Sequence, residues 1–260
     1  MSWTARYILL LLTVLPIATF PHFSEAQHEP SHAGPHDPQS VESHQAALQD
    51  AHHHTSPHAS PGWEGSAAGI AYSERNHHIA GIMVLLIGFA ELNHALRLYA
   101  SQWPKLLLPA AMTGMGLFLL IWSDHDAWPI GSLSFSQTVF SSDTEIIQHK
   151  AYGLLLFAVG TIEWIRRRRS SWHAAWSAPL PLLALVGGLM LFGHSHGEHP
   201  SAHKITLHHA VMGTIAMTAG SSKLLGGWLR SRNQTTASTW EIVWAVLIVT
   251  IGVQLLLYSE

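Results

Sequence analysis

Hydrophobic residues make up 48% of the 260-residue chain and charged ones 11%, and the apolar residues gather in runs of membrane-spanning length, which argues against a soluble globule. The formal charge of -3 is too small to point to nucleic acid, and the absence of cysteine rules out disulfides, thiolate metal ligands and a cysteine nucleophile. Histidine is the outlier, with 21 copies.

The chain opens as a secretory signal over residues 1–26. Arg6 supplies the positive start, Tyr7 to Phe20 the apolar core, and Ser24-Glu25-Ala26 a small-x-small cleavage site before Gln27. Residues 27–76 then read as a polar tail rich in Pro, Ser and His, as in HEPSHAGPHDP and DAHHHTSPHASPG. Such a composition cannot bury a core and is expected to be disordered, collecting metal only weakly and without selectivity.

Six helices follow, over residues 77–98, 105–123, 146–165, 176–195, 206–228 and 240–258. Each is near the roughly 20 residues needed to cross a bilayer, so the expected fold is an all-α integral membrane protein. Basic residues set its orientation. Arg97 and Lys105 flank the first connection, Arg166, Arg167, Arg168 and Arg169 open the third, and Lys223, Arg230 and Arg232 mark the fifth. These connections are therefore expected inside and both ends of the mature chain outside. Removing the signal, with His22, leaves 20 histidines; only His94 and His173 fall on the inner side, so 18 lie outside. This asymmetry points to something bound on the outside.

The odd-numbered helices share one spacing: His, Gly four later, Gly eleven later and a charge fourteen later. The residues are His77, Gly81, Gly88 and Glu91; His149, Gly153, Gly160 and Glu163; and His209, Gly213, Gly220 and Lys223. At 3.6 residues per turn they form one stripe, with each charge about 21 Å deeper than its histidine. The glycines would admit a close neighbouring helix. The even helices repeat Gly, then Ser and a potential ligand seven and eight later: Gly116-Ser123-Asp124, Gly188-Ser195-His196 and Gly252-Ser259-Glu260. The reading is a triplicated helical hairpin, with copies over residues 77–123, 146–195 and 206–260.

Packed around a common axis, these hairpins would bring His77, His149 and His209 together with Asp124, His196 and Glu260. His78, His125, His194 and His208 adjoin them, and His199 and His203 sit in a loop as secondary collectors. Imidazole with carboxylate suits a transition metal, copper or zinc. Met83, Met115, Met190 and Met212, expected in the outer half, either add thioethers that favour Cu(I) or simply fill the core. At the inner boundary Glu91, Lys223 and Glu163 form a charged network that locks helices together, or else a proton or ion exit; His94, one turn from Glu91, could join either.

Two segments carry a resemblance. HSHG at His194 to Gly197, with the His-opened helix after it, resembles the transmembrane protein 45 family of multi-span membrane proteins, as does the QHK-x2-G start of the third helix. The six-span layout with histidines at the outer face is similar, more loosely, to bacterial membrane proteins of the copper-resistance D type. The second resemblance implies copper handling at the outer face of a bacterial inner membrane; the first implies no settled activity. Expected partners are the lipid bilayer and metal ions. Two alternatives stay open. One is a membrane-embedded zinc hydrolase using Asp124, Ser123 and Glu198, although HExxH spacing is missing. The other is a b-type haem protein with His149 and His209 as axial ligands.

Overall fold

The computed structural model describes residues 63, 65–98, 104–169, 174–194, 201–232 and 237–260. The signal segment, the His-rich stretch to residue 62, and His173, Ser195, His196, Glu198 and His199 lie outside them. Seven α-helices occur among the described residues: α1 Ala67–Leu96, α2 Pro104–Ile121, α3 Phe135–Val139, α4 Thr144–Arg168, α5 Pro179–Phe192, α6 Ala202–Ser231 and α7 Ala237–Leu256. All but α3 correspond to the six expected helices.

The start of α1 corrects one boundary. Residues 67–76, read from composition as part of a disordered tail, are its first turns. Ser66 caps the helix, its side-chain oxygen accepting from the Gly69 N–H at 3.1 Å. Tertiary bonds then hold it: the Tyr72 hydroxyl donates to the Trp122 carbonyl, and the Asn76 amide donates to that of Ser123 at 3.1 Å. Hydropathy could not register these anchors because they are single polar contacts to a distant segment.

Helix direction alternates. The C-terminal half of α1, the C-terminal end of α4 and that of α6 meet the start of α7 through ion pairs. Their other halves gather with the ends of α5 and α7. The ion-paired end is labelled inner and this one outer, after the orientation expected from the sequence. Two helices, Ala67–Leu96 and Thr239–Leu256, are long and apolar enough to cross a membrane; Lys105–Ile121 and Pro179–Phe192 are apolar but shorter. With 14 residues α5 rises only about 21 Å, less than the roughly 30 Å hydrocarbon layer. The interior is apolar, built on Leu108, Met112, Leu156, Leu183, Trp244 and Ile248. The exterior is apolar too: Phe89, Leu117, Leu154, Leu182, Leu189 and Val253 are all exposed.

The most extensive packing joins α1 to α7, α2 to α4, and α5 to α6. These pairs link neighbouring hairpins, whereas the sequence repeat was framed within them. Each pair crosses at glycines. A Cβ built on Gly81 would stand 3.1 Å from the Gly252 carbonyl, one on Gly153 3.1 Å from that of Gly116, and one on Gly213 2.6 Å from that of Gly188. Two turns further in, Gly88, Gly160 and Gly220 abut Val249, Thr113 and Leu185, each three residues before the partner helix's glycine. A side chain at any of these positions would force the backbones apart.

Candidate metal centre at the outer end

The local sequence of α4 sets up most of the site. Asp143 caps the helix, its Oδ1 accepting from the Glu145 N–H at 2.9 Å and from the Ile146 N–H at 3.5 Å. One turn separates Glu145 from His149, so both side chains share a face. His194, just after the Gly193 cap of α5, comes against that face. Ligand atoms of Glu145, His149 and His194 lie within 4.8 Å of one another. A tetrahedral ion with bonds of 2.0–2.1 Å needs ligand atoms about 3.4 Å apart, so modest side-chain adjustment closes the group.

Each imidazole is oriented from behind. The His149 Nδ1 donates to Asp124 Oδ1 at 2.7 Å, and the His194 Nδ1 to Gln148 Oε1 at 2.7 Å. An acceptor at Nδ1 places the ring proton there and the lone pair on Nε2, the tautomer that a metal requires. His77 has the same arrangement, with Nδ1 donating to the Ser73 carbonyl at 2.9 Å. Asp124 is itself held by Lys150 at 3.0 Å and by the Ser123 hydroxyl. Burial pushes its carboxyl up, but the hydrogen bond and charge of His149, with Lys150 and Ser123, outweigh that and hold its pKa below the ordinary value.

Four of the expected ligands form a row. Ring centroids are 5.4 Å apart for His149 and His194, 4.9 Å for His194 and His209, and 6.1 Å for His209 and His77. The remaining expected ligands go elsewhere. Asp124 stands behind His149 as its orienting acceptor. His78 donates through Nε2 to the Tyr258 carbonyl at 3.1 Å, His208 packs edge-on to the Tyr258 ring, and Glu260 accepts from the Ser73 and Tyr258 hydroxyls. Glu260 thus reaches the His77 turn as Asp124 reaches His149. His125 stacks on Trp63 at 3.4 Å and pairs with Asp126. His196 lies outside the described residues. Met83 and Met115 pack in the apolar core and Met212 is buried, so the core-filling alternative describes these three. Sequence reasoning missed Glu145, although its spacing of four from His149 was a usable signal, and Tyr258, which had none.

At the inner end the expected Glu91–Lys223–Glu163 network is longer and differently wired. Arg167, not Lys223, joins the two glutamates, at 2.8 Å from Glu91 and 3.0 Å from Glu163, and Arg166 adds a second partner to Glu163 at 2.7 Å. Lys223 instead joins Glu91 at 2.6 Å to Glu241, which also meets Arg230. The Trp244 indole donates to Glu91 at 3.0 Å. His94 is exposed at this end. Every carboxylate here has two cationic partners, the arrangement of a lock. No family model, curated protein or solved structure matches the chain.

Proposed function

We propose that this is a six-span membrane protein that binds a transition metal, copper ahead of zinc, at its extracytoplasmic end for metal handling. One observation carries the reading: Glu145, His149 and His194 bring ligand atoms within 4.8 Å, and Asp124 and Gln148 set both imidazoles in the ligating tautomer. Nitrogen-rich sites favour Cu(II) over Zn(II) in the general affinity order, which supports copper. Imidazoles in so close a row suit single ions better than a macrocycle. A water-soluble fold would not present apolar side chains on both its inside and its outside, whereas lipid accepts them. Arginines at the inner end favour the cytoplasm there, with both mature termini outside. The three like glycine crossings favour an internal triplication, and the copper-resistance resemblance favours a bacterial inner membrane.

The test is metal content and affinity of the purified full chain against His149→Ala and Glu145→Gln. Each variant should lose about one equivalent and bind residual metal at least tenfold more weakly. The His-rich tail contributes equally to all three proteins and cancels. Unchanged content in both variants would remove the site.

A further inference from the structure

We propose that the imidazole row holds a second ion, seated between His77 and His209 and of the low-coordinate, monovalent class, Cu(I). This rests on the metal-binding reading above and extends it, because neither residue belongs to the Glu145, His149 and His194 group.

The geometry comes from three aromatic rings. His77 stacks on Tyr258 at 3.9 Å with planes 19° apart. His209 lies 6.1 Å from His77 and 6.3 Å from Tyr258, with planes 26° and 11° from theirs. These separations close a triangle whose angle at His77 is about 75°, so Tyr258 lies over a face of His77 and His209 is displaced to the side of that stack. Two imidazoles side by side and 26° from parallel can serve a two-coordinate ion once their ligating nitrogens turn toward each other. With metal–nitrogen bonds of 2.0–2.1 Å, a linear pair of imidazoles has its ring centroids about 6.3 Å apart. The observed centroid spacing of 6.1 Å is close to that value.

Ligand chemistry and burial select the ion. The Ser73 carbonyl at His77 Nδ1 places the imidazole lone pair on Nε2. His209 and Tyr258 are each 2% exposed, so an ion here is shielded from water. Two neutral ligands in such surroundings tolerate one positive charge far better than two. The nearby Glu260 carboxylate, bonded to the Tyr258 hydroxyl at 3.0 Å, offsets a single charge. His194, 4.9 Å from His209, adjoins both seats.

The experiment loads the full chain in detergent with Cu(I) under anaerobic conditions and removes loose copper with a bicinchoninate competitor. Copper per chain is then compared among the parent, Glu145→Gln, His77→Gln and the double variant. Each single change should remove one equivalent and the double change two. Full retention by His77→Gln, or a double variant no poorer in copper than either single one, overturns the second seat. Full retention by Glu145→Gln as well would overturn the metal reading itself. A readout that leaves the second seat intact guards against misfolding: X-ray absorption of copper-loaded Glu145→Gln should show the edge feature of linear two-coordinate Cu(I). Three- or four-coordinate copper there would also overturn the proposal.

Discussion

The inner and outer ends of the helix bundle use ionisable side chains in opposite ways. At the inner end Glu91, Glu163 and Glu241 are buried, yet each meets two cations, in a chain from Arg166 through Arg167 and Lys223 to Arg230. At the outer end imidazoles face imidazoles, and the nearby carboxylates stand to the side or behind. A network with its own counter-charges is complete and holds helices in place. On the metal-binding reading proposed above, a set of imidazole donors is completed by an added cation. What differs is that each inner carboxylate is buried against two cations, whereas the outer site is mainly half-buried imidazole, with Lys150 paired to Asp124.

The largest effect should come from breaking the inner lock. Glu163 is 0% exposed, so Glu163→Ala leaves the Arg166 and Arg167 guanidinium groups without their carboxylate in a buried setting. A loss of about 3–5 kcal/mol is expected from thermal or denaturant unfolding in detergent, with metal stoichiometry kept wherever the protein folds. A cost below about 1 kcal/mol would show that the lock is not structural. At the outer end, Asp124→Asn keeps an acceptor for His149 but removes its charge. Metal affinity should fall about 10- to 100-fold, measured by competition with a chelator, while apo stability changes less than in the inner variant.

The glycine crossings offer a smaller test that spares both ends. At Gly188 an added Cβ would stand 2.7 Å from the Gly213 carbonyl, whereas at Gly114 it would meet nothing within 4 Å. Gly188→Ala should cost about 1–3 kcal/mol, and Gly114→Ala should be neutral or stabilising by up to about 1 kcal/mol. Similar values for the two would mean that the close crossing carries no packing strain.

The smallest effect is on the acid limb. Because the Asp124 pKa is lowered in the fold, its contribution is present in full above the ordinary value of 3.8 and is lost as pH falls through the lowered folded value. Unfolding curves of the parent and Asp124→Asn proteins should therefore differ at neutral pH and converge at the acid end. Lys150→Ala should raise the folded value, so that the loss is smaller and is complete at a higher pH.

Much of this comparison was legible in the chain. Histidines at one end of the odd helices and charges fourteen residues later predict a polar cluster at each end of an apolar bundle, because helical rise converts sequence spacing into depth. His77, His149, His194 and His209 were all expected at the outer site. Their neighbours show what counting leaves out: Asp124, expected as a ligand, accepts from His149; Glu260, also expected as a ligand, accepts from the Ser73 and Tyr258 hydroxyls; and Arg167, read only as a topology signal, bridges two glutamates. Depth along a helix follows from counting, but the bond a long side chain makes depends on what stands opposite.

The sequence by itself determined the apolar helices, the placement of His77, His149 and His209 toward one end of them and the positions of the glycines, since all three depend on composition and on the period of one helix. Only the tertiary structure decided that α1 packs on α7, that Glu145 joins the His149 and His194 group, and that Tyr258 stacks on His77 beside His209. These are relations between residues tens to nearly two hundred positions apart, set by which backbones can approach closely, and no local pattern encodes that choice.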